Sequence, residues 1–452
     1  MKKTDILIIT SVVLCFFSFA LLTTHNKSQI KTNELTATVL EIENNKITLQ
    51  DKNNIIYTFN MEDIDFDIGS ILTLKYSGLL NKDKNLQNTK VISYQKVSKE
   101  IEDIPDTWLD NGIFKDYYNF AYNKLKTLSL NEKIGQILLV RYPDDKQIED
   151  LKKYYFGGFV FFEKDFKDKT ETQVKEMIDN IQRSSNIPLL TAVDEEGGKI
   201  VRVSNNKNLV ETKFWASKEL YIAGGFERIK EDTINKSKIL NNLGLNLNLA
   251  PVVDVTTDPS AYMYERSFRH NTELTSEYAK TVIEASKGTN VSYTLKHFPG
   301  YGNNSDTHTN SAVDDRTYES ILEIDIPPFE EGIKAGAEAV LFSHNIVNSI
   351  DRNNPVSLSI DAHNLLRNKL GFTGIIITDN LDMNALSQVD KSIIKAIKAG
   401  NDLIITTDYE NDIKTIKEAI NSGDLSEELI DKLAFRVLAW KYYKGLLMEN
   451  QK

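Results

Sequence analysis

The amino-acid sequence predicts an α/β protein, a (β/α)8 TIM-type barrel preceded by a small β-rich domain and an N-terminal hydrophobic leader. Three observations lead there. The start of the chain holds a long uncharged apolar run, residues 35–97 alternate apolar and polar positions, and from residue 128 short apolar runs alternate with helical patterns. At 452 residues the chain exceeds one ordinary core. Its 41% hydrophobic and 26% charged residues argue against both a disordered chain and a polytopic membrane protein. A net charge of −11 argues against nucleic acid as a partner, because such binders concentrate basic charge.

In the leader, residues 1–25, Met1-Lys2-Lys3 precedes an uncharged stretch over 6–22. This reads as an export signal or membrane anchor, with Lys2 and Lys3 on the cytoplasmic side and everything beyond outside. Ser18 and Ala20 supply small residues for cleavage; if uncleaved, the segment tethers the protein to the outer face of the cytoplasmic membrane. The single cysteine, Cys15, lies in this run without a small residue beside it, so it reads as an apolar side chain and the exported part forms no disulfide. No metal site and no cofactor are expected.

Residues 33–98 contain the alternating runs Thr36-Ala37-Thr38-Val39-Leu40-Glu41-Ile42, Lys46-Ile47-Thr48-Leu49 and Ile55-Ile56-Tyr57-Thr58-Phe59, separated at Asn44-Asn45 and Asn53-Asn54. Period-two runs divided by turn-tolerant residues give a small antiparallel β domain, open or closed into a barrel. It reads as a spacer or as a surface for cell-wall or partner binding. Residues 99–127 read as a polar linker.

At Ser129-Leu130-Asn131-Glu132 a capping-box pattern opens the large domain, 128–450. Strands are expected at 136–140, 158–162, 188–193, 247–253, 292–297, 337–343, 374–378 and 402–406. Helical patterns lie between them, among others at 273–287 before Gly288, 329–334 before Gly336 and 360–369 before Gly371, with glycine where a C-cap needs it. Eight strands each followed by a helix give the barrel. A doubly wound open sheet is the alternative; no glycine-rich dinucleotide fingerprint follows the first strand.

Residues at the C-terminal ends of barrel strands face the active site. Here they are polar: Asp194-Glu195-Glu196-Gly197-Gly198 after the third strand, Lys296-His297 in the fifth, Ser343-His344 after the sixth and Asp379 after the seventh. One such carboxylate is often only a helix cap, and a lone His344 is most simply a hydrogen-bonded histidine at the rim. Several converging on one face form a hydrogen-bonding pocket of the kind a sugar requires.

With Glu265-Arg266-Ser267-Phe268, Lys296-His297-Phe298-Pro299-Gly300, Asp306-Thr307-His308 and Thr378-Asp379-Asn380-Leu381-Asp382-Met383 added, the chain resembles family 3 glycoside hydrolases over residues 125–445, closest to the β-N-acetylglucosaminidase branch. The resemblance implies Asp379 as nucleophile and His308 as acid/base, oriented by Asp306. It further implies that Asp194, Arg202, Arg266, Lys296 and His297 hold the hydroxyls and acetamido group of the sugar. For Arg202 and Arg266 ion pairing with Glu195, Glu196 or Glu265 is the competing role, and Asp382 reads as structural. An imidazole near its ordinary pKa can exchange the proton near neutral pH, and when neutral adds no second negative charge beside the nucleophile.

The expectation is therefore a retaining exo-β-N-acetylglucosaminidase acting on an amino-sugar glycan such as peptidoglycan fragments, as a monomer. Two alternatives stay open, a phosphorylase and a catalytically silent glycan-binding module. The sequence departs from the family pattern at Tyr301, where histidine is usual, at Thr307 in place of serine, at Glu265 in place of aspartate, and in a segment from Lys296 to Asp306 one residue short.

Overall fold

The structure, a computed structural model, describes residues 32–448 except 44, 52–54, 62–63, 65, 67, 69, 79–88, 97–103 and 303–311. The leader expected over 1–25 lies outside the described residues. Among those described, no helix is long and apolar enough to cross a membrane. The chain forms two compact units, Met1–Glu100 and Ile101–Lys452.

The first unit is an antiparallel sheet of β1 (Thr32–Glu43), β2 (Lys46–Asp51), β3 (Ile56–Asn60), β4 (Ile71–Ser77) and β5 (Lys90–Lys96), in the order β3-β2-β1-β4-β5. Its apolar alternation becomes one buried face. Leu35, Ala37 and Val39 of β1 pack with Ile47, Leu49, Leu72 and Leu74 in a core of their own. Among the described residues β3 and β5 form no hydrogen-bonded ladder, although the two edge strands lie close to each other.

In the second unit the strands are β6 (Leu138–Arg141), β7 (Gly158–Phe161), β8 (Leu190–Val193), β9 (Leu247–Asn248), β10 (Ser292–Phe298), β12 (Ala339–Phe342), β14 (Ile375–Thr378) and β15 (Ile404–Thr406). Two short strands, β11 (Val313–Asp314) and β13 (Ile346–Val347), pair with each other. The eight long-range partners are parallel, in the order β14-β12-β10-β9-β8-β7-β6-β15. A parallel bridge between Ile377 and Leu403, with the Thr378 N–H donating to the Leu403 carbonyl at 3.1 Å, joins the two outer strands and closes the barrel. The fold is thus the predicted (β/α)8 barrel and not a doubly wound sheet. Nearly every barrel-strand residue is buried, as continuous Val/Ile/Leu runs covered on both faces require.

Local signals hold in detail. Ser129 and Glu132 form the capping box of the helix Leu130–Gln136. The helix Thr272–Ser286 ends before Gly288, whose φ of 76° is left-handed. Over 360–369 the helix is Ile360–Asn364, continued as a π-turn over Leu365–Lys369.

The linker expected over 99–127 is a correction. Its described part belongs to the barrel unit. Trp108 and Tyr118 pack on Phe435, with ring centroids 5.7 and 5.1 Å away, and Phe120 stacks on Tyr442. Asp110 pairs with Arg436 at 3.1 Å, and Arg436 in turn donates to Asp402. These residues cover the last helix, Glu427–Tyr443, at the end of the barrel opposite the strand C-termini. Their aromatic side chains are dispersed without period, so only tertiary contact reveals the element.

Candidate active site

A cavity of about 430 Å³ opens at the C-terminal ends of the strands. Asp194, Arg202, Arg266, Lys296, His297 and Asp379, which the sequence singled out, all line it. Asp306 and His308 lie outside the described residues; the chain runs into their segment from Gly302, next to the cavity-lining Tyr301, and continues at Ala312.

The wall after β8 is shaped by Glu195. Its buried carboxylate accepts the backbone N–H groups of Arg202 at 2.8 Å, Val203 at 2.7 Å and Ser204 at 3.2 Å, together with the Ser204 hydroxyl. Tying the returning strand of the loop to its start leaves Asp194 and Arg202 on the cavity wall, while Glu196 lies behind it against Arg266 and Lys296. Gly197 makes the turn possible: its φ is +99°, and a Cβ there would sit 2.2 Å from the Trp215 carbonyl oxygen.

Opposite stands β10, whose ladder to β12 slips between Lys296 and Phe298. A regular strand points neighbouring side chains to opposite faces; the irregularity lets both Lys296 and His297 reach the cavity. Lys296 Nζ lies 2.7 Å from Asp194 Oδ1 and 2.7 Å from Glu196 Oε1. Arg266 clamps Glu196 with two donors, at 2.6 and 3.1 Å.

Burial alone would raise the Glu196 pKa, but the guanidinium and the ammonium beside it hold it well below the usual carboxylate range. For Lys296 burial pulls downward and is outweighed by Asp194 and Glu196, leaving its pKa above an ordinary lysine's. These side chains are therefore charged and fixed before any ligand arrives.

His297 Nδ1 lies 2.8 Å from Asp254 Oδ2, and Nε2 faces Arg266 at 3.3 Å. An acceptor on one side and a donor on the other assign the neutral tautomer with the proton on Nδ1. Asp254 also accepts the Tyr301 N–H at 2.7 Å, so one buried carboxylate orients the histidine and anchors the start of the following loop.

Asp379 follows directly on β14. Its N–H donates to the Phe342 carbonyl at 2.9 Å, and its Oδ1 accepts the Asn380 N–H at 2.8 Å. Behind it, His344 Nε2 donates to the Asn380 carbonyl at 2.9 Å while Nδ1 meets the Ser357 hydroxyl at 2.7 Å. Asp382 accepts the Thr407 and Asp408 N–H groups. These two residues hold the loop rather than face the cavity, and neither lines it.

Of the competing ion pairs, that of Arg266 with Glu196 is present; Arg202 stands 3.9 Å from Asp194 instead, and Glu265 pairs with Arg269. Sequence reasoning missed Asp254, Glu196 as the anchor of Lys296, and Arg141. The strand-end rule that selected Asp194 and Asp379 also points to Asp254, one residue past the strand expected over 247–253, and to Arg141, one past 136–140. Among the described residues no group of three or more His, Cys, Asp or Glu side chains could hold a metal ion.

Residues 129–440 match the family described as glycosyl hydrolase family 3 N terminal domain. The chain is 26% identical over 329 residues to beta-hexosaminidase LpqI of Mycobacterium tuberculosis, covering 70% of this chain and 83% of that one. It is 27% identical over 314 residues to a beta-hexosaminidase of Xylella fastidiosa, covering 67% and 91%. A solved family 3 beta-N-acetylglucosaminidase from a Paenibacillus species superposes with a TM-score of 0.66 at 29% identity, over 71% of this chain and 63% of that one, so that the chain spans less than two thirds of that enzyme.

Proposed function

Because the chain belongs to glycosyl hydrolase family 3, and so is a glycoside hydrolase, we propose that it is a retaining exo-β-N-acetylglucosaminidase with Asp379 as nucleophile and His308, oriented by Asp306, as acid/base. The observation that carries this reading is the single cavity that gathers Asp379 with Asp194, Arg202, Arg266, Lys296 and His297. The relatives named beta-hexosaminidase and the Paenibacillus beta-N-acetylglucosaminidase support the sugar.

In the first half-reaction the Asp379 carboxylate attacks the anomeric carbon while the imidazolium of His308 protonates the departing oxygen. In the second, the neutral imidazole takes a proton from water, which attacks the same carbon and releases Asp379. The fixed charges of Lys296, Arg266 and Asp194 hold the ring hydroxyls. Each such bond to a charged group is worth roughly 1.5 to 3 kcal/mol, enough together to hold the ring distorted toward its transition-state shape. A cavity of this volume suits one terminal sugar.

We further propose cell-wall fragments as substrate and an exported location, which the apolar run over 6–22 supports.

Trapping with 5-fluoro-N-acetylglucosaminyl fluoride followed by peptide mapping tests the assignment. Label is expected on Asp379; label on another carboxylate overturns the nucleophile, and failure to cleave 4-nitrophenyl β-N-acetylglucosaminide overturns the activity. The pH–rate profile is expected to bend between roughly pH 5.5 and 7.5, and a flat profile there removes His308 from its role.

A further inference from the structure

Of the three tryptophans in the chain, Trp108 and Trp440 are buried, whereas Trp215 is 48% exposed. A single exposed apolar side chain is ordinary on a protein surface. Trp215 is different because it lines a hollow of about 600 Å³ together with Phe214, Ala216 and Lys199. This hollow shares the loop from Asp194 to Ser204 with the cavity at the strand C-termini, and Lys199 lines both.

The segment that carries Trp215 is fastened to that loop. The Gly198 N–H donates to the Phe214 carbonyl at 2.9 Å, and the Phe214 N–H donates to the Ser204 hydroxyl at 3.2 Å. Packing is close as well, since a Cβ on Gly198 would stand 2.6 Å from the Cβ of Ala216. At the rim, Arg269 donates to the Tyr264 carbonyl at 3.0 Å and pairs with Glu265 at 3.0 Å and Glu219 at 3.4 Å. The side chains of Glu265 and Glu219 are 58% and 47% exposed, which leaves their oxygens able to accept from a ligand.

An open indole face within a rim of fixed polar groups has the two halves that recognise a pyranose. The C–H groups of the ring lie against the negative face of the indole, and the hydroxyls at its edge meet the rim. Lys199, Lys213 and Arg269 stand against Glu219 and Glu265 around the hollow, so the local charge is nearly balanced. A balanced rim suits a neutral chain better than a polyanion, and so many charged side chains around one indole fit poorly with burial in lipid.

We propose that the Trp215 hollow is a second, non-catalytic carbohydrate-binding site, which takes a β-1,4-linked N-acetylglucosamine chain and holds the enzyme on the polymer it degrades. The sugar class rests on the proposed activity; the site itself does not depend on which carboxylate is the nucleophile.

Trp215 reports on its own site, because the other two tryptophans are shielded from solvent. In an Asp379→Asn variant of the full chain, tetra-N-acetylchitotetraose is expected to lower acrylamide quenching of tryptophan emission at least threefold, and to have no such effect once Trp215→Ala is added. With Asp379 intact, Trp215→Ala is expected to lower kcat/KM on the tetrasaccharide about tenfold through KM, equivalent to about 1.4 kcal/mol, with 4-nitrophenyl β-N-acetylglucosaminide unaffected. Trp215→Phe, which keeps an aromatic face, restores part of the loss.

Absence of protection by the tetrasaccharide overturns the proposal, and so does an equal loss on both substrates, which would make Trp215 a support of the loop. Protection that persists where the nitrophenyl glycoside is not cleaved upholds the site and sinks only the glycosidase reading. Protection by phosphatidylglycerol vesicles or by raised protein concentration, with none by the tetrasaccharide, would make a membrane or a second copy of the chain the occupant and overturn the glycan.

Discussion

Glu196 carries more of the cavity than its place in the sequence suggests, since Arg266 and Lys296 both close on its carboxylate. Its folded pKa is depressed, so its contribution is fully present above the ordinary glutamate pKa and is lost as pH falls toward the folded value. Glu196→Gln is expected to cost about 3 kcal/mol at pH 7, with the gap to the wild type narrowing below about pH 4.5, as chemical denaturation at the two pH values would show. Lys441 has the opposite sense. Buried, with a hydrogen bond to Gln136 Oε1, its pKa is pushed down to about 7. Between that value and the ordinary lysine pKa the unfolded chain holds the extra proton, so folding grows more favourable as pH rises through the window. Lys441→Met is therefore expected to raise Tm, most below pH 7 and progressively less toward pH 10.

Among the elements, the loop from Asp194 to Ser204 is the most exacting. Its shape depends on the Glu195 carboxylate and on a glycine whose Cβ would strike the Trp215 carbonyl. Gly197→Ala is expected to lower kcat/KM at least tenfold while circular dichroism stays that of the wild type, because the strain falls on cavity-wall geometry and leaves the barrel strands intact. The capping box is an ordinary element by comparison. Ser129→Ala should cost about 1 kcal/mol in denaturation with little change in activity, the hydroxyl being remote from the cavity. Sequence rules found the box because cap, helix and turn depend on neighbours. The helix–barrel packing of residues 104–127 escaped them because its partners lie some three hundred positions away.

For the whole molecule the separate apolar cores of the two units bear directly on function. Leu35 to Tyr76 form the cluster of the first unit, and the second unit holds a large cluster running from Ile104 to Leu447 with a small one of Val252, Met263 and Tyr301. Every described residue that lines the cavity at the strand C-termini belongs to the second unit. A chain beginning at Ile101 is expected to fold alone and to cleave a small soluble glycoside with kcat/KM within about threefold of the full chain, measured side by side. Loss of all activity on removing the first unit would assign that unit a part in the site itself.

The sequence by itself determined the barrel, the small sheet before it and the strand ends that face the cavity, because period, caps and turns are set by residues close together in the chain. His344 and Asp382 were also legible as supports. What only the tertiary structure decided is charge partnership. That Glu196 and not Glu195 pairs with Arg266, that Asp254 orients His297, and that Arg141 stands over Phe162 all depend on which side chains meet across the barrel mouth. Electrostatic pairing acts through distances of a few ångströms between residues that can be a hundred positions apart, and no local pattern encodes it.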